Sequence, residues 1–115
     1  MILESFLQKL KDNPENIEFN DTIGIIDSKY VFTPTLFKNG DLVNEAGRNS
    51  GSCKIFSFAR IQGLTTEQTL ACFGGYYRND VLKHPESEDH QNIRNFMKSG
   101  WTMIEFDNEP LKAKI

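Results

Sequence analysis

Residues 53–62, CKIFSFARIQ, decide the fold, because their apolar positions fit two periodicities at once. Ile55, Phe58, Ala59 and Gln62 share a helical face, whereas Phe56, Phe58 and Arg60 would share one face of a strand. The flanks break the tie. Ser50 or Ser52 offers an N-cap upstream, and Gly63 followed by apolar Leu64 is a helix stop downstream, so the stretch is predicted to be a helix.

Downstream, Thr65 and Gln68 have capping-box spacing and open a further helix through Leu70, Ala71 and Phe73. Gly74-Gly75 marks a bend, since each glycine in a helix interior costs roughly 1 kcal/mol relative to alanine. A further helix through Tyr76, Tyr77, Val81 and Leu82 is predicted to stop before His84-Pro85. A last helix runs from Asp89 to Ser99 on Ile93, Phe96 and Met97, with Gly100 ending it. The tail, WTMIEF, DNEP and LKAKI over 101–115, reads as a β-hairpin.

Upstream, the polar run EAGRNSGS (45–52) is preceded by YVFTPTLF (30–37), rich in aromatic and β-branched residues. Asn39-Gly40 fits a type I′ turn, which predicts a hairpin across 31–44, with Pro34 confining the first strand to an edge or an interrupted path. A helical stripe of Phe19, Ile23, Ile26 and Tyr30 has Asn20 or Asp21 to cap it, and Ile2, Leu3, Phe6, Leu7 and Leu10 form an opening amphipathic helix that ends at Asp12-Asn13-Pro14. The expected fold is α+β, about five helices packed with a small antiparallel sheet built from two hairpins, in a single domain over 1–115.

The 115 residues carry 13 Lys and Arg against 16 Asp and Glu, a net charge of −3, with no basic cluster of the kind nucleic acid requires. No run approaches the roughly 18 apolar residues of a membrane span, so neither nucleic acid nor a membrane is an expected partner. Glu4 and Lys9 interrupt what would be the apolar part of a secretory signal, and Cys53 and Cys72 are expected to stay reduced.

Chemistry concentrates around residues 44–54. Small residues entering a helix present free backbone N–H groups at its positive end, an anion-binding arrangement. It is not a phosphate-binding P-loop, because three residues separate Gly47 from Gly51 and Ser-Cys precedes Lys54. Cys53 in that first turn, its thiolate favoured by the helix end and by Lys54 and Arg48, is a candidate nucleophile, with His90 as its base. The alternative is a flexible connection with an ordinary cap. His84 and His90, with Glu86, Glu88 and Asp89 between them, lack zinc-ligand spacing and read as a solvated loop. No metal or other cofactor is expected.

Several strings together resemble the HopJ type III effector family: FTPTLF (32–37) with Asn39-Gly40, NEAGRNSGSCKIF (44–56), ACFG (71–74) with Tyr76-Tyr77-Arg78, and DHQNIRNFM (89–97) with Gly100-Trp101. They span nearly the whole chain. The resemblance implies a bacterial protein of the kind delivered through type III secretion, without a defined reaction. Such effectors generally begin with a disordered, Ser-rich segment, whereas residues 1–11 here form a predicted helix containing Glu4. Residence in the bacterial cytoplasm and delivery into a host cell are therefore both expectations.

Two functions follow. One is a non-enzymatic binding module recognising a protein or small anionic ligand through Asn44, Glu45, Asn49, Ser50, Ser52 and Lys54 together with Asn92 and Arg94. The other is a small hydrolase or transferase using Cys53 and His90. Both require the loop at 44–54 to meet the helix start at 89–95.

Overall fold

The computed structural model describes residues 2–114. Helix α1 spans Leu3–Asp12 and buries Phe6 and Leu10. Helix α2, Phe19–Lys29, follows a short turn at Pro14–Asn16. Its first turn is secured by Asp21, whose carboxylate accepts the Glu18 N–H at 3.1 Å. Asp21 thus works from the third helical position, with Glu18 at the cap position predicted for Asn20 or Asp21.

Strands β1 (Tyr30–Phe32), β2 (Phe37–Asn39) and β3 (Leu42–Asn44) come next, and β4 (Ile104–Phe106) and β5 (Leu111–Ala113) lie in the tail. The fold is α+β, with antiparallel sheets ordered β1-β5 and β3-β2-β4. The hairpin around Gly40 forms, but Asn39 lies in β2 opposite Leu42, so the turn residues are Gly40 and Asp41. Gly40 alone of these two has positive φ, +62°, the pattern of a type II′ turn rather than the expected type I′.

The tail is not a hairpin. Its strands part, β4 pairing with β2 and β5 with β1. Both pairings belong to one register: Phe32 faces Leu111 and Phe37 faces Phe106, so 33–36 oppose 107–110 with nothing inserted. A single long ladder is opened in the middle. Pro34 and Pro110, one on each arm, have no N–H to donate there. Thr33 N–H to Pro110 O at 2.8 Å and Asp107 N–H to Leu36 O at 3.1 Å close the gap at its two ends.

Helix α3, Ser50–Gln62, runs through the core and buries Cys53, Ile55, Phe56, Ser57, Phe58 and Ala59. Phe56 packs on Phe96 (4.9 Å between ring centroids), Phe73 and Phe37, while Phe58 packs on Phe6 and Tyr30. Burial around most of its circumference explains why its sequence fits both periods. It stops at Gly63, with Leu64 N–H donating to Ala59 O at 2.9 Å and Gly63 N–H to Arg60 O at 3.2 Å, a Schellman ending.

Helix α4, Thr66–Ala71, opens with the predicted capping box: Thr65 Oγ1 accepts from Gln68 N and Gln68 Oε1 from Thr65 N, both at 3.0 Å. Gly74 then turns the chain at φ +61°, where a β-carbon would come within 2.5 Å of Phe19 N. No side chain fits there. Residues Tyr76–Val81 form a wide helical turn in which Leu82 N–H reaches back five residues to Tyr77 O. Helix α5, Gln91–Ser99, buries Asn92, Ile93 and Phe96 and packs against β2 and β3, where Asn92 bonds to Asn39 and Asn44 and Asn95 Nδ2 donates to Asn39 O at 3.0 Å. Among the described residues no helix is long and apolar enough to cross a membrane.

Candidate functional site

Four asparagines join the two sequence-distant segments. Asn92 Nδ2 donates to Asn44 Oδ1 at 2.9 Å, Asn44 Nδ2 to Asn92 Oδ1 at 3.2 Å, and Asn39 Nδ2 to Asn92 O at 2.8 Å. Asn49 Nδ2 adds a bond of 2.7 Å to Asn44 Oδ1. Asn39, Asn44 and Asn92 are buried, so these bonds are made away from water and leave little freedom between the loop and α5.

The result is that the starts of α3 and α5 face one hollow. It has a volume of about 200 Å³, and Asn49, Gly51, Ser52, His90, Asn92 and Ile93 line it from the two helix ends. Phe19, Phe73 and Tyr76 complete the walls. A second hollow of about 350 Å³, lined by Asn20, Asn79 and Asp80 among others, adjoins it across the shared Phe19 and Tyr76, whose rings meet edge to face at 5.0 Å.

Both helices begin in the same unusual way. Asn49 (φ 54°) and His90 (φ 52°) are the only non-glycine residues with positive φ among the described residues, and they occupy the two N-cap positions. Neither helix has a side-chain cap. The first helical hydrogen bonds are Cys53 N–H to Asn49 O (3.0 Å) and Arg94 N–H to His90 O (3.1 Å), which leaves the amides of 50–52 and 91–93 without helical acceptors. The caps expected from Ser50 or Ser52 are absent because Asn49 takes the cap position and turns its amide to Asn44.

His90 is held by its neighbours. Its Nε2 lies 3.1 Å from Asp80 Oδ2, and its ring lies 5.2 Å from that of Tyr76. The wide turn at 76–81 presents both partners, which sequence periodicity did not single out.

Other candidate residues have different roles. Arg94 is buried and donates to Asp89 O (2.6 Å), Asp89 Oδ1 (2.7 Å), Pro85 O and Asp80 O, both at 3.4 Å. It ties the 80–89 loop to α5 and does not line the hollow. Its hydrogen bond is the main reason the Asp89 carboxyl is held below the usual carboxylate range. Lys54 pairs with Asp27 at 2.8 Å and lies over the Phe32 ring. Glu45 is exposed in the loop, and Asn44 acts within the network rather than on the hollow.

The Cys53–His90 pair is not assembled. Cys53 is 1% exposed and directs its thiol to Thr35 O at 3.8 Å, while His90 faces Asp80 and Tyr76. Burial pushes the Cys53 thiol up to about 11, where a helix start with cationic neighbours was expected to pull it down. Cys72, on the core side of the bend, is pushed up to about 12 by burial.

A search of curated proteins returns no match. Among solved structures the chain is similar to VPA0580, a protein of unknown function known from its crystal structure: identity is 54%, TM-score 0.97, and the match covers 99% of this chain and 95% of that one. The family model described as HopJ type III effector protein matches residues 3–111, taking in every element from α1 to the start of β5. By that match, and in keeping with the strings around 32–56 and 89–97 that build the asparagine-linked site, the chain belongs to the HopJ type III effector family.

Proposed function

We propose that this protein is a non-enzymatic binding module that recognises an anionic group, carried by a protein or a small ligand, in the hollow between the starts of α3 and α5. The carrying observation is the convergence of two helix starts without side-chain caps on one hollow. Each helix start brings a partial positive charge and unpaired amides, and a shared anion would satisfy both. The asparagine network fixes the geometry in advance, so little ordering has to accompany binding. Phe19 and Tyr76 offer apolar contact to whatever carries the charge. With a net charge of −3 the chain as a whole does not attract polyanions, which favours a single small group over nucleic acid or an anionic membrane.

Isothermal titration with inorganic phosphate tests the reading on the protein and on Ser52→Asp. A carboxylate in the first turn of α3 complements the helix end, worth about 0.3–1 kcal/mol, so this variant should remain folded. It should bind phosphate at least tenfold more weakly, because its own charge occupies the site. Equal affinity in the two proteins, or no binding by either, contradicts the proposal. The family name points to delivery into a host cell through type III secretion, with residence in the bacterial cytoplasm as the alternative. A translocation reporter fused to the full chain checks that delivery, and its absence from host cytosol would restrict the ligand to the bacterium.

A further inference from the structure

The opened ladder leaves a second hollow, remote in sequence from the asparagine-linked site. On the α3 side of the gap at 33–36 and 107–110 lies a space of about 540 Å³, within the range of small-molecule sites. Its walls are apolar at Ile61, Phe106 and Leu111, and its polar lining includes Ser57, Arg60 and Glu109.

Three polar side chains there, those of Arg60, Glu109 and Ser57, remain open to a ligand. Arg60 lies 5.4 Å over the Trp101 ring and 5.2 Å over that of Phe106, and one of its nitrogens, Nη2, donates to Ile104 O at 2.9 Å. Its charge has no carboxylate partner among the described residues. Glu109 lines the same space and is not paired with Arg60 or with any other cation among the described residues. Ser57, 4% exposed as a residue and on this same lining, makes no side-chain hydrogen bond within the described residues, and its hydroxyl is not sealed from solvent, since the one fully buried side-chain polar atom without a partner among the described residues is Asn39 Oδ1. An exposed cation, an exposed anion and a hydroxyl thus line one hollow of mixed polar and apolar walls without pairing with one another.

We infer that this hollow binds a free α-amino acid with an apolar side chain. Its carboxylate meets the Arg60 guanidinium and the Ser57 hydroxyl, its ammonium meets Glu109, and its side chain lies against Ile61, Phe106 and Leu111. Stacking between two aromatic rings holds the guanidinium in place, so a planar carboxylate finds its partner already oriented. The two prolines keep the ladder from closing over the space. This site is independent of the proposed anion site at α3 and α5.

Amide chemical-shift titrations of the full chain with L-leucine, 4-methylpentanoate and L-leucinamide decide the matter. The last two lack the ammonium and the carboxylate respectively. L-Leucine should give saturable shifts at Ser57, Ile61 and 107–111, and each truncated probe should bind about tenfold more weakly or not at all, as expected for loss of one charged hydrogen bond. Glu109→Gln, an exposed change that leaves the core intact, should weaken L-leucine about tenfold and leave 4-methylpentanoate unchanged. Arg60→Met should abolish binding of both acids. If L-leucine leaves these resonances unmoved, or if 4-methylpentanoate binds as tightly as L-leucine, the inference is overturned.

Discussion

Helices α2 and α4 begin differently from α3 and α5, and the difference separates structural ends from available ones. At α4 the Thr65 and Gln68 side chains satisfy each other's backbone donors, and at α2 Asp21 reaches back to Glu18. At α3 and α5 the cap residues take left-handed backbone, and their side chains serve neighbours instead: Asn49 bonds to Asn44, and His90 to Asp80. A left-handed non-glycine residue costs roughly 1–2 kcal/mol. That cost is met twice at one hollow, where the surrounding hydrogen bonds are dense enough to hold it.

The sharpest way to break this contrast is to remove the network that holds the two open ends together. Asn92→Ala leaves buried polar atoms of Asn39 and Asn44 without partners, and stability to urea should fall by about 2–4 kcal/mol. A loss under about 1 kcal/mol would mean that the network does not hold the site.

Alkali probes the closed flank of α3. The folded Cys53 thiol sits at about 11 against an ordinary 9.0, so the unfolded chain ionises first as pH rises. The stability this thiol contributes is intact below pH 9 and is lost as pH rises through the folded value, on the order of 2–3 kcal/mol in total. Cys53→Ser should flatten that decline. Native alkylation of Cys53 near pH 8 should also be slow, and fast labelling would restore the nucleophile reading.

The caps themselves give the smallest effects. Thr65→Ala should cost about 1 kcal/mol by removing a working cap. Ser52→Ala should stay within about 0.5 kcal/mol, because Ser52 caps nothing. Similar losses at both positions would erase the distinction between capped and open ends.

Local signals carried much of this architecture. Helix starts and stops at Thr65, Gly63 and Gly100 were legible because each depends on neighbours a few residues away. The tail read as a hairpin since its two strand-like runs flank a turn-like DNEP, yet each run pairs with a strand 65 to 83 residues earlier. Pro34 marked the interruption on one arm, and only the shared register shows that Pro110 answers it on the other. Around the site, the polar runs at 44–54 and 89–95 identified the two segments that meet. Burial reversed the readings of Cys53 and Arg94, because one thiol on a helix start can face inward and one arginine can spend its donors on a single loop. Phe19, Tyr76 and Asp80 were missed, since their place at the hollow depends on a wide turn and on the close approach at Gly74.

The central claim, that the open helix ends form one anion site, is tested most directly by following backbone amides during titration of the full chain with inorganic phosphate. Gly51, Ser52, Asn92 and Ile93 should shift together along one saturation curve, while Glu67 and Gln68 in the capped first turn of α4 stay fixed. Shifts spread evenly over all helix starts, or different curves for the α3 and α5 amides, would contradict a shared site.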